Sequence, residues 1–515
     1  MKPFALTIAG LFESACEKHP ERLAVAFDGR RYTYRAWRTR VARLAQALAG
    51  LGVQADDRVA LYLRTSEATA AAYLACQLLG AVAVPLNFRL AGGEALYIVR
   101  DCEARALVFD GSVESGVAQV LQAEPSLTAV RSGPGTLANV LDLEALIEAS
   151  VPLARTAQRG PDDLCALVYT SGTTGRPKGV MHTNANDVAI AQNIIIEYQL
   201  AAEDVALHIA PLFHVGGMQA FFLPHLLVGA ANVIATRYEP GTTLAEIERE
   251  KITTLFAVPT QIQDMLVHPE FARRDHASLR LITTGGAAIS EATMARVLDE
   301  FCLGIYNGYG MTEASLTLLL HPRDALSRLG SCGKATFISQ CALRRRDGRG
   351  ELEVPGEIGE LWVRGPQMSP GYWNQPEQTA QRFTGGWLRT GDLFSRDADG
   401  YFYFHGRVDD MIVTGGENVY PREVEEVLYR CPGVQEAAVV GLPDARWGST
   451  VTAFVVRKDA MLSAAQIDAF CRASGELAAF KRPRRIEFLD ALPLNPSGKV
   501  LKRELVARYS NTTKV

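Results

Sequence analysis

One loop of the chain is rich in groups that bind phosphate. Residues 169–179 read Tyr-Thr-Ser-Gly-Thr-Thr-Gly-Arg-Pro-Lys-Gly, after an apolar, strand-like run and before a helical pattern. The glycines let backbone amides approach an oxyanion, and the hydroxyls and Lys178 add further donors. The loop is not a Walker A motif, because Gly179 follows Lys178 where that motif has Ser or Thr. We therefore predict a phosphate-binding loop of a different kind.

Strand-like and helical segments, which must position this loop, alternate along the first 300 residues. Short apolar runs such as Arg58 to Leu63, Leu164 to Tyr169 and Thr254 to Pro259 alternate with helical patterns such as Glu67 to Leu79. Continuous apolar strands are buried on both faces, and helices between them imply parallel sheets. The pattern predicts an α/β fold whose large N-terminal domain is built from layered α/β sheets.

The chain is long enough for more than one domain. Its 515 residues exceed what one hydrophobic core usually supports. From 330 to 408 the pattern changes to Gly-rich, strand-like pieces such as Gly359 to Arg364, which predict a β subdomain within an N-terminal domain of residues 1–408. Residues 409–515 have a compact α+β pattern, with a helix expected over Ala464 to Ala473 and a strand over Arg485 to Leu489, and form the expected small C-terminal domain.

Composition excludes several classes of protein. A net charge of −4 argues against a general nucleic-acid binder. The nine cysteines include no CxxC pair, so they indicate reduced thiols in a cytoplasmic protein and neither a disulfide framework nor a zinc site. Residues 206–236 lack charged side chains, but prolines and glycines interrupt them, so we expect no transmembrane segment.

Five further blocks follow the loop in a fixed order. They are Asn307-Gly-Tyr-Gly-Met-Thr-Glu313, Arg389-Thr-Gly-Asp392, Gly406-Arg-Val-Asp-Asp-Met-Ile412, Gly415-Gly-Glu-Asn-Val-Tyr-Pro421 and Pro493-Leu-Asn-Pro-Ser-Gly-Lys499. With the loop, they resemble the signature of the adenylate-forming superfamily, which holds acyl-CoA and aryl-CoA ligases, peptide-synthetase adenylation domains and firefly luciferase. The resemblance covers nearly the whole chain and is closest to aryl-CoA ligases of the 4-chlorobenzoate type and to fatty acyl-CoA ligases. It implies an AMP-forming acyl-CoA synthetase that uses ATP, Mg²⁺ and coenzyme A.

The resemblance implies a nucleotide site. Lys178, Thr312, Glu313 and Lys499 would be catalytic; Glu313 would help to hold Mg²⁺, which prefers carboxylate oxygen. Asp392 would accept hydrogen bonds from the ribose. The implied ATP-binding residues are Thr170, Ser171, Gly172, Thr173, Thr174, Gly175, Lys178, Gly286, Ala287, Asn307, Gly308, Tyr309, Gly310, Thr312, Asp392, Arg407 and Lys499.

The resemblance also implies that the C-terminal domain is mobile. It would rotate about a hinge at Asp409 between the two half-reactions, so that Lys499 leaves the site and the Gly415-Gly416 segment arrives. Glycine suits a segment along which the pantetheine arm passes close to the backbone. The residues implied to bind coenzyme A are Arg89, Gly415, Gly416, Glu417, Trp447, Phe480, Arg482 and Arg484, with Lys481 as a further candidate.

The acyl pocket is the least determined part of the site. Family position suggests four stretches: His214 to Met218, Val258 to Thr260, Gly285 to Ala288 and Gly308 to Leu316. None contains Lys or Arg, so an apolar monocarboxylate is expected, either an aromatic acid or a medium- or long-chain fatty acid. The candidate lining residues are His214, Gly217, Met218, Val258, Gly285, Gly310, Met311 and Leu316.

Three other functions are compatible with parts of the pattern. A freestanding adenylation enzyme would load a carrier protein, although an amino acid substrate would call for an Asp in the pocket stretches, where none occurs. A luciferase-like oxygenase is a second alternative. A catalytically dead homologue is a third, and the presence of Lys178, Glu313, Asp392 and Lys499 argues against it. A homodimer is also compatible with the sequence.

Overall fold

The computed structural model describes residues 6–170, 177–286, 289–345, 350–444, 446–474, 477–494 and 500–510. Its helices are α1 Ile8–Lys18, α2 Tyr34–Gly50, α3 Glu67–Leu79, α4 Gly92–Asp101, α5 Glu114–Ala123, α6 Leu143–Ala149, α7 Asn184–Glu197, α8 Leu223–Val228, α9 Pro240–Glu250, α10 Pro259–Val267, α11 Glu291–Arg296, α12 Pro322–Ala325, α13 Pro376–Arg382, α14 Pro421–Tyr429, α15 Ala464–Ala473 and α16 Lys502–Tyr509. Its strands are β1 Leu23–Phe27, β2 Arg30–Thr33, β3 Arg58–Tyr62, β4 Val82–Pro85, β5 Ala104–Asp110, β6 Thr128–Ser132, β7 Leu141–Asp142, β8 Leu164–Thr170, β9 Lys178–Thr183, β10 Val205–His208, β11 Ala231–Ile234, β12 Thr254–Phe256, β13 Leu281–Gly285, β14 Ile305–Met311, β15 Ser315–Leu320, β16 Lys334–Ala335, β17 Gln340–Arg344, β18 Gly359–Arg364, β19 Phe383–Thr384, β20 Trp387–Arg396, β21 Phe402–Arg407, β22 Ile412–Thr414, β23 Glu417–Val419, β24 Val434–Asp444, β25 Gly448–Arg457 and β26 Arg485–Leu489.

Two large sheets form the body of the molecule. The first has the order β16-β15-β14-β13-β12-β10-β11-β1-β2, and the second has the order β7-β6-β5-β3-β4-β8-β9. Most neighbouring strands in both sheets are parallel, with antiparallel pairs at the edges, such as β14 with β15 and β8 with β9. The expected α/β architecture with layered, largely parallel sheets is therefore confirmed.

Helix α3 shows why the core between the sheets is stable. Ser66 caps its N-terminus by accepting a hydrogen bond from the backbone amide of Thr69, and Gly80 ends it in a left-handed conformation. Every residue of the helix from Glu67 to Leu78 is buried. The Glu67 carboxylate is compensated there, because Arg40 and the indole of Trp37 donate to it at 3.0 and 2.7 Å.

The antiparallel strands β17 to β21 form a third sheet, whose core includes Leu361, Leu388 and Phe394. Strands β20 and β21 are paired so that Asp392 lies opposite Arg407. The final part of the chain contains the hairpin β22-β23 and the sheet β24-β25-β26, with α14, α15 and α16 packed around it. This final part contacts the preceding sheet, where the His405 and Tyr420 rings have centroids 5.9 Å apart.

Two local expectations were wrong. The strand expected over Thr254 to Pro259 ends at Phe256, because Pro259 is the first residue of α10, where its fixed φ is favourable. The glycine-rich loop does not run directly into a helix, because Lys178 begins strand β9 and α7 starts only at Asn184.

The nine cysteines are free thiols, as the sequence predicted, and seven of them are buried. Within the ranges that the structure describes, none of the helices has both the length and the apolar character needed to cross a membrane.

Candidate active site

One cluster joins β14 of the first sheet to β20 and β21 of the third sheet. The Tyr309 hydroxyl donates to Asp392 Oδ2 at 2.6 Å, and Arg407 Nε lies 3.3 Å from Asp392 Oδ1. Burial, followed by the charge of Asp392, raises the pKa of Tyr309 well above its usual value, so the phenol stays protonated and donates. A carboxylate held in this way, with lone pairs remaining, can accept hydrogen bonds from a diol.

A second cluster forms around Glu313, which follows β14 and is only 8% exposed. The Tyr372 hydroxyl donates to Glu313 Oε1 at 2.7 Å. Lys178 Nζ lies 5.3 Å from the centroid of the Tyr372 ring, within the range of a cation–π contact. Burial, and then the charge of Arg382, lowers the pKa of Lys178. The cluster thus combines a buried carboxylate with nearby cations.

Backbone pairing explains how Lys178 and Tyr372 come together across almost 200 residues. The segment 371–373 runs beside β9: Val180 pairs with Tyr372, and the Met181 amide donates to the Gly371 carbonyl at 3.0 Å. The Trp373 amide donates to the carbonyl of Gly179 at 2.8 Å. Lys178 is therefore fixed at the start of a strand that is hydrogen-bonded on both sides.

The glycines of β13 and β14 permit a close approach of the two strands. Gly285 pairs with Gly308, and a Cβ atom at Gly285 would lie 2.6 Å from the Gly308 carbonyl oxygen. A Cβ atom at Gly310 would lie 2.1 Å from the Ser315 carbonyl oxygen. Gly286 has φ +77°, and no heavy atom of the described residues lies within 4 Å of a Cβ atom built there. Asn307 is buried, and its amide donates to the Ser331 carbonyl at 3.0 Å.

The candidate acyl residues each lie beside apolar side chains or backbone. Gly216 packs against Phe256 and donates its amide to His214 Nδ1 at 3.1 Å. Gly217 precedes a π-helical turn from Met218 to Phe222, and Met218 is buried. Leu316 lies over Gly308, where a Cβ atom would meet its Cδ1 at 2.6 Å. Val258 and Met311 are half-buried, at the start of α10 and the end of β14.

Some residues implied to bind coenzyme A meet at the β22-β23 hairpin. Gly415 and Gly416 have φ values of +59° and +85° and form its two-residue turn. Gly415 packs on the Trp447 ring, which would lie 2.8 Å from a Cβ atom, whereas Gly416 has open space. The guanidinium of Arg484 lies 4.7 Å from the Trp447 centroid, and that of Arg446 lies 4.8 Å from it.

The other candidates for coenzyme A lie in other parts of the fold, except Glu417, which pairs with Thr414 across this turn. Phe480 is half-buried against the core of the C-terminal part. Arg482 lies 3.7 Å from Asp468, and Lys481 donates to Glu423 at 2.6 Å. Arg89 lies beside the Phe88 ring in the N-terminal part. Glu417 is exposed at the start of β23.

The remaining sequence candidates fall into two groups. Thr170 ends β8, Thr312 is buried next to Glu313, and Asp409 lies in a single 3-10 turn after β21. The residues outside the described ranges are Ser171, Gly172, Thr173, Thr174, Gly175, Ala287 and Lys499.

The Glu313 cluster fits a magnesium ion. Mg²⁺ commonly binds one or two carboxylates, completes its shell with phosphate oxygens and keeps several waters. Glu313 supplies a buried carboxylate, of which Tyr372 uses one oxygen. Within the described residues, His, Cys, Asp and Glu form no group of three or more that could enclose a metal ion. This arrangement suits an ion that is held largely by a phosphate substrate.

Sequence reasoning missed two residues at this site. Tyr372 orients Glu313 and flanks Lys178, and Arg382 lies close enough to Lys178 to influence its pKa. Neither residue belongs to a chemical motif. The only available signal was their position between the 307–313 and 389–392 blocks.

Comparison with known proteins agrees with this geometry. The family model "AMP-binding enzyme" matches residues 12–373, and the model "AMP-binding enzyme C-terminal domain" matches residues 423–499. The chain is 39% identical to a feruloyl-CoA synthase of Amycolatopsis sp. over 95% of its own length and 96% of that protein. It is 35% identical to a long-chain-fatty-acid–CoA ligase of Mycobacterium tuberculosis, over 94% of each chain.

A solved structure extends the comparison to the fold. The anthranilate CoA ligase AuaEII, in complex with anthranoyl-AMP, matches with a TM-score of 0.92 and 30% identity over 100% of this chain and 99% of that one. The chain therefore belongs to the AMP-binding enzyme family and is an AMP-forming acyl-CoA synthetase that uses ATP, Mg²⁺ and coenzyme A.

Proposed function

We propose that the two clusters at the end of β14 bind the two ends of ATP. Asp392, held by Tyr309 and Arg407, accepts hydrogen bonds from the ribose hydroxyls. Lys178 lies toward the triphosphate, with Thr312 at the α-phosphate and Glu313 holding Mg²⁺. The observation that carries this proposal is the direct hydrogen bonding of Asp392 and Glu313 to two tyrosines, which fixes both carboxylates in place.

In the first half-reaction, a carboxylate oxygen of the acid attacks the α-phosphorus of ATP. The bond from that phosphorus to the bridging oxygen breaks, and pyrophosphate leaves with the electron pair. Bound Mg²⁺ neutralises charge on the phosphate oxygens. The protein's part is to hold the phosphates in line and to stabilise the departing charge, which Lys178 and, from the C-terminal part, Lys499 do as cations.

In the second half-reaction, the thiol of coenzyme A attacks the acyl carbonyl of the adenylate, loses its proton and displaces AMP. We assign the thiol path to the Gly415-Gly416 turn and the nucleotide face to Trp447 and Arg484. Support comes from the open space at Gly416 and the stacking of Arg484 on Trp447. Residues 1–408 and 409–515 form the two domains of this proposal, with 330–408 as the β subdomain and Asp409 as the hinge.

The acid is a monocarboxylate with no other charged group, either an aromatic acid or a medium- or long-chain fatty acid. The candidate pocket stretches contain no Lys or Arg to pair with a second carboxylate. Relatives with aryl and alkyl substrates in their names, such as feruloyl-CoA synthase and long-chain-fatty-acid–CoA ligase, agree with both possibilities. The nine free thiols favour action in the reducing cytoplasm.

A pyrophosphate-release screen tests this function, using benzoates, cinnamates, fatty acids and dicarboxylates with and without coenzyme A. We expect monocarboxylates to exceed malonate and succinate in kcat/KM by about 10³-fold, because a second carboxylate would be desolvated without a cation. A higher kcat/KM for malonate than for benzoate and octanoate would overturn the pocket assignment. Turnover only with a carrier protein would favour the alternative loading function.

A further inference from the structure

Arg382 lies between the two ATP clusters. It ends α13, and its Nη2 donates to the Thr390 carbonyl at 2.9 Å. A Cβ atom at Gly391 would lie 2.9 Å from Arg382 Nη1 and 3.9 Å from Arg407 Nη2. The guanidinium therefore covers the backbone of the Thr390-Gly391-Asp392 turn, beside the proposed ribose carboxylate.

The same guanidinium lies near the Glu313 cluster. The ring of Phe383, the next residue along the chain, packs on the Tyr372 ring, and their centroids are 5.8 Å apart. The charge of Arg382 lowers the pKa of Lys178, after the effect of burial, and it opposes the rise in the pKa of Tyr372 that burial and Glu313 cause. Arg382 is therefore close to Lys178 and Tyr372.

The Arg382 guanidinium is only partly satisfied by protein within the described residues. Its Nη2 donates to the Thr390 carbonyl, but Arg382 Nε is buried and has no hydrogen-bond partner among those residues. Two neighbouring cations in a partly buried site repel each other, so an anion between them would be strongly stabilised.

We propose that Arg382 binds the β- and γ-phosphates of ATP and the pyrophosphate that leaves. A guanidinium can bind phosphate oxygens through two parallel N–H donors, whereas Lys178 acts as a point charge. Arg382 would hold the leaving group in line, while Thr390 fixes the orientation of its fork. This inference rests on the proposed placement of ATP.

Product inhibition tests the proposal, because AMP carries only the α-phosphate. We expect Arg382→Ala to raise the inhibition constant of pyrophosphate about 10- to 100-fold and to leave that of AMP nearly unchanged. Arg382→Gln keeps a donor for the Thr390 carbonyl without the charge and should show the same selective loss. Arg382→Lys should restore part of the pyrophosphate affinity.

Arg389→Ala is the matched control. Arg389 lies on the adjoining strand β20, but its guanidinium is paired with Glu360 at 3.0 Å, so both inhibition constants should stay unchanged. Equal losses for AMP and pyrophosphate, or no loss in Arg382→Gln, would overturn the role of Arg382. If the inhibition constant of pyrophosphate for Lys178→Ala equals that of the wild type, the proposed placement of ATP is wrong.

A separate observation concerns Asn193 on α7, which is 1% exposed. Its Nδ2 donates to the Leu316 carbonyl at 3.3 Å, and that carbonyl can only accept, so the assignment of nitrogen and oxygen is fixed. The remaining Oδ1 is buried and has no partner in the described part of the chain. The hydroxyls of Thr284 and Ser315, next to Gly285 and Leu316, are also buried and have no partner among the described residues.

These polar atoms adjoin two of the candidate acyl stretches. We infer that the acid carries a neutral hydrogen-bond donor, such as a hydroxyl, which Asn193 Oδ1 accepts within the proposed acyl pocket. Burying an acceptor without a partner is unfavourable, and a substrate donor would remove that cost. The inference rests on the proposed function and narrows its substrate class to hydroxylated acids.

Paired acids test this inference, for example 4-hydroxycinnamate with cinnamate and 4-hydroxybenzoate with benzoate. We expect the hydroxylated member to have a kcat/KM about 10- to 100-fold higher. Asn193→Leu should bring the ratio close to one. Gln192→Leu, the same kind of change at an exposed position of α7, should keep the wild-type ratio.

The outcomes separate the two levels of the proposal. A ratio that Asn193→Leu does not change would overturn the role of Asn193, even if the acids are activated. Failure of all four acids and of fatty acids to release pyrophosphate would overturn the proposed substrate class itself.

Discussion

The nucleotide side and the coenzyme A side of the site are held in different ways. Asp392 and Glu313 are hydrogen-bonded to tyrosines at 2.6 and 2.7 Å, and the first of these bonds joins strands of two different sheets. The Gly415-Gly416 turn instead lies at the tip of a short hairpin, with open space at Gly416. Groups fixed before the substrate arrives can stabilise developing charge without reorganisation, whereas a hairpin tip can move as a unit.

The largest effect on activity should come from a substitution on the nucleotide side of the site. Glu313→Gln keeps an acceptor for the Tyr372 hydroxyl but removes the charge that binds Mg²⁺, so adenylate formation should slow about 10²- to 10³-fold. Pyrophosphate release in a single turnover measures this step, and the Mg²⁺ concentration needed for half-maximal rate should rise. Conversion of supplied acyl-adenylate to acyl-CoA should be nearly unchanged. Equal losses in both steps would show that Glu313 has a structural role.

The next largest effect should distinguish the coenzyme A side of the site from the nucleotide side. Gly416→Leu places a side chain along the proposed thiol path, so acyl-CoA formation should slow about 10- to 100-fold while single-turnover pyrophosphate release continues. Gly400→Leu is the matched control, since Gly400 has φ +86° and the same open space but lies in a turn before β21. If both variants slow acyl-CoA formation alike, backbone strain is the cause and the thiol path lies elsewhere.

The contrast also shows what sequence can predict. The bounds expected for Glu67–Leu79, Gly359–Arg364, Ala464–Ala473 and Arg485–Leu489 match the structure. Two of these have clear end signals: Ser66 and Gly80 around α3, and the Ser463 capping box of α15. Strong local signals therefore predicted where these elements begin and end. At β12 the observed strand ends earlier than expected, because Pro259 begins the following helix.

The partners of the site residues were much less predictable. Asp392 and Glu313 could be named from motifs, but Tyr309 was expected at ATP and not as the donor to Asp392, and Tyr372 was not anticipated. Tyr372 meets Glu313 across 59 positions, next to the backbone hydrogen bond from the Ser369 amide to the Glu313 carbonyl at 2.8 Å. Such contacts join segments that are far apart in the sequence, and local patterns do not identify the partner segment.

The smallest expected effect measures how much the hydrogen bond from Tyr309 to Asp392 contributes to the binding of ATP. Tyr309→Phe removes one donor to Asp392 and keeps the ring that packs at 4.8 Å on Phe394, so the fold should be retained. Arg407 still holds the other carboxylate oxygen at 3.3 Å. A net hydrogen bond to a charged group contributes about 1.5 kcal/mol, so the KM for ATP should rise about tenfold or less with little change in kcat. The ratio of the KM for 2′-deoxy-ATP to the KM for ATP is the decisive measurement, because it should fall toward one as Asp392 loses its fixed position. An unchanged ratio together with a raised KM would mean that Tyr309 contacts another part of the nucleotide, and the ribose role of Asp392 would then lose its main support.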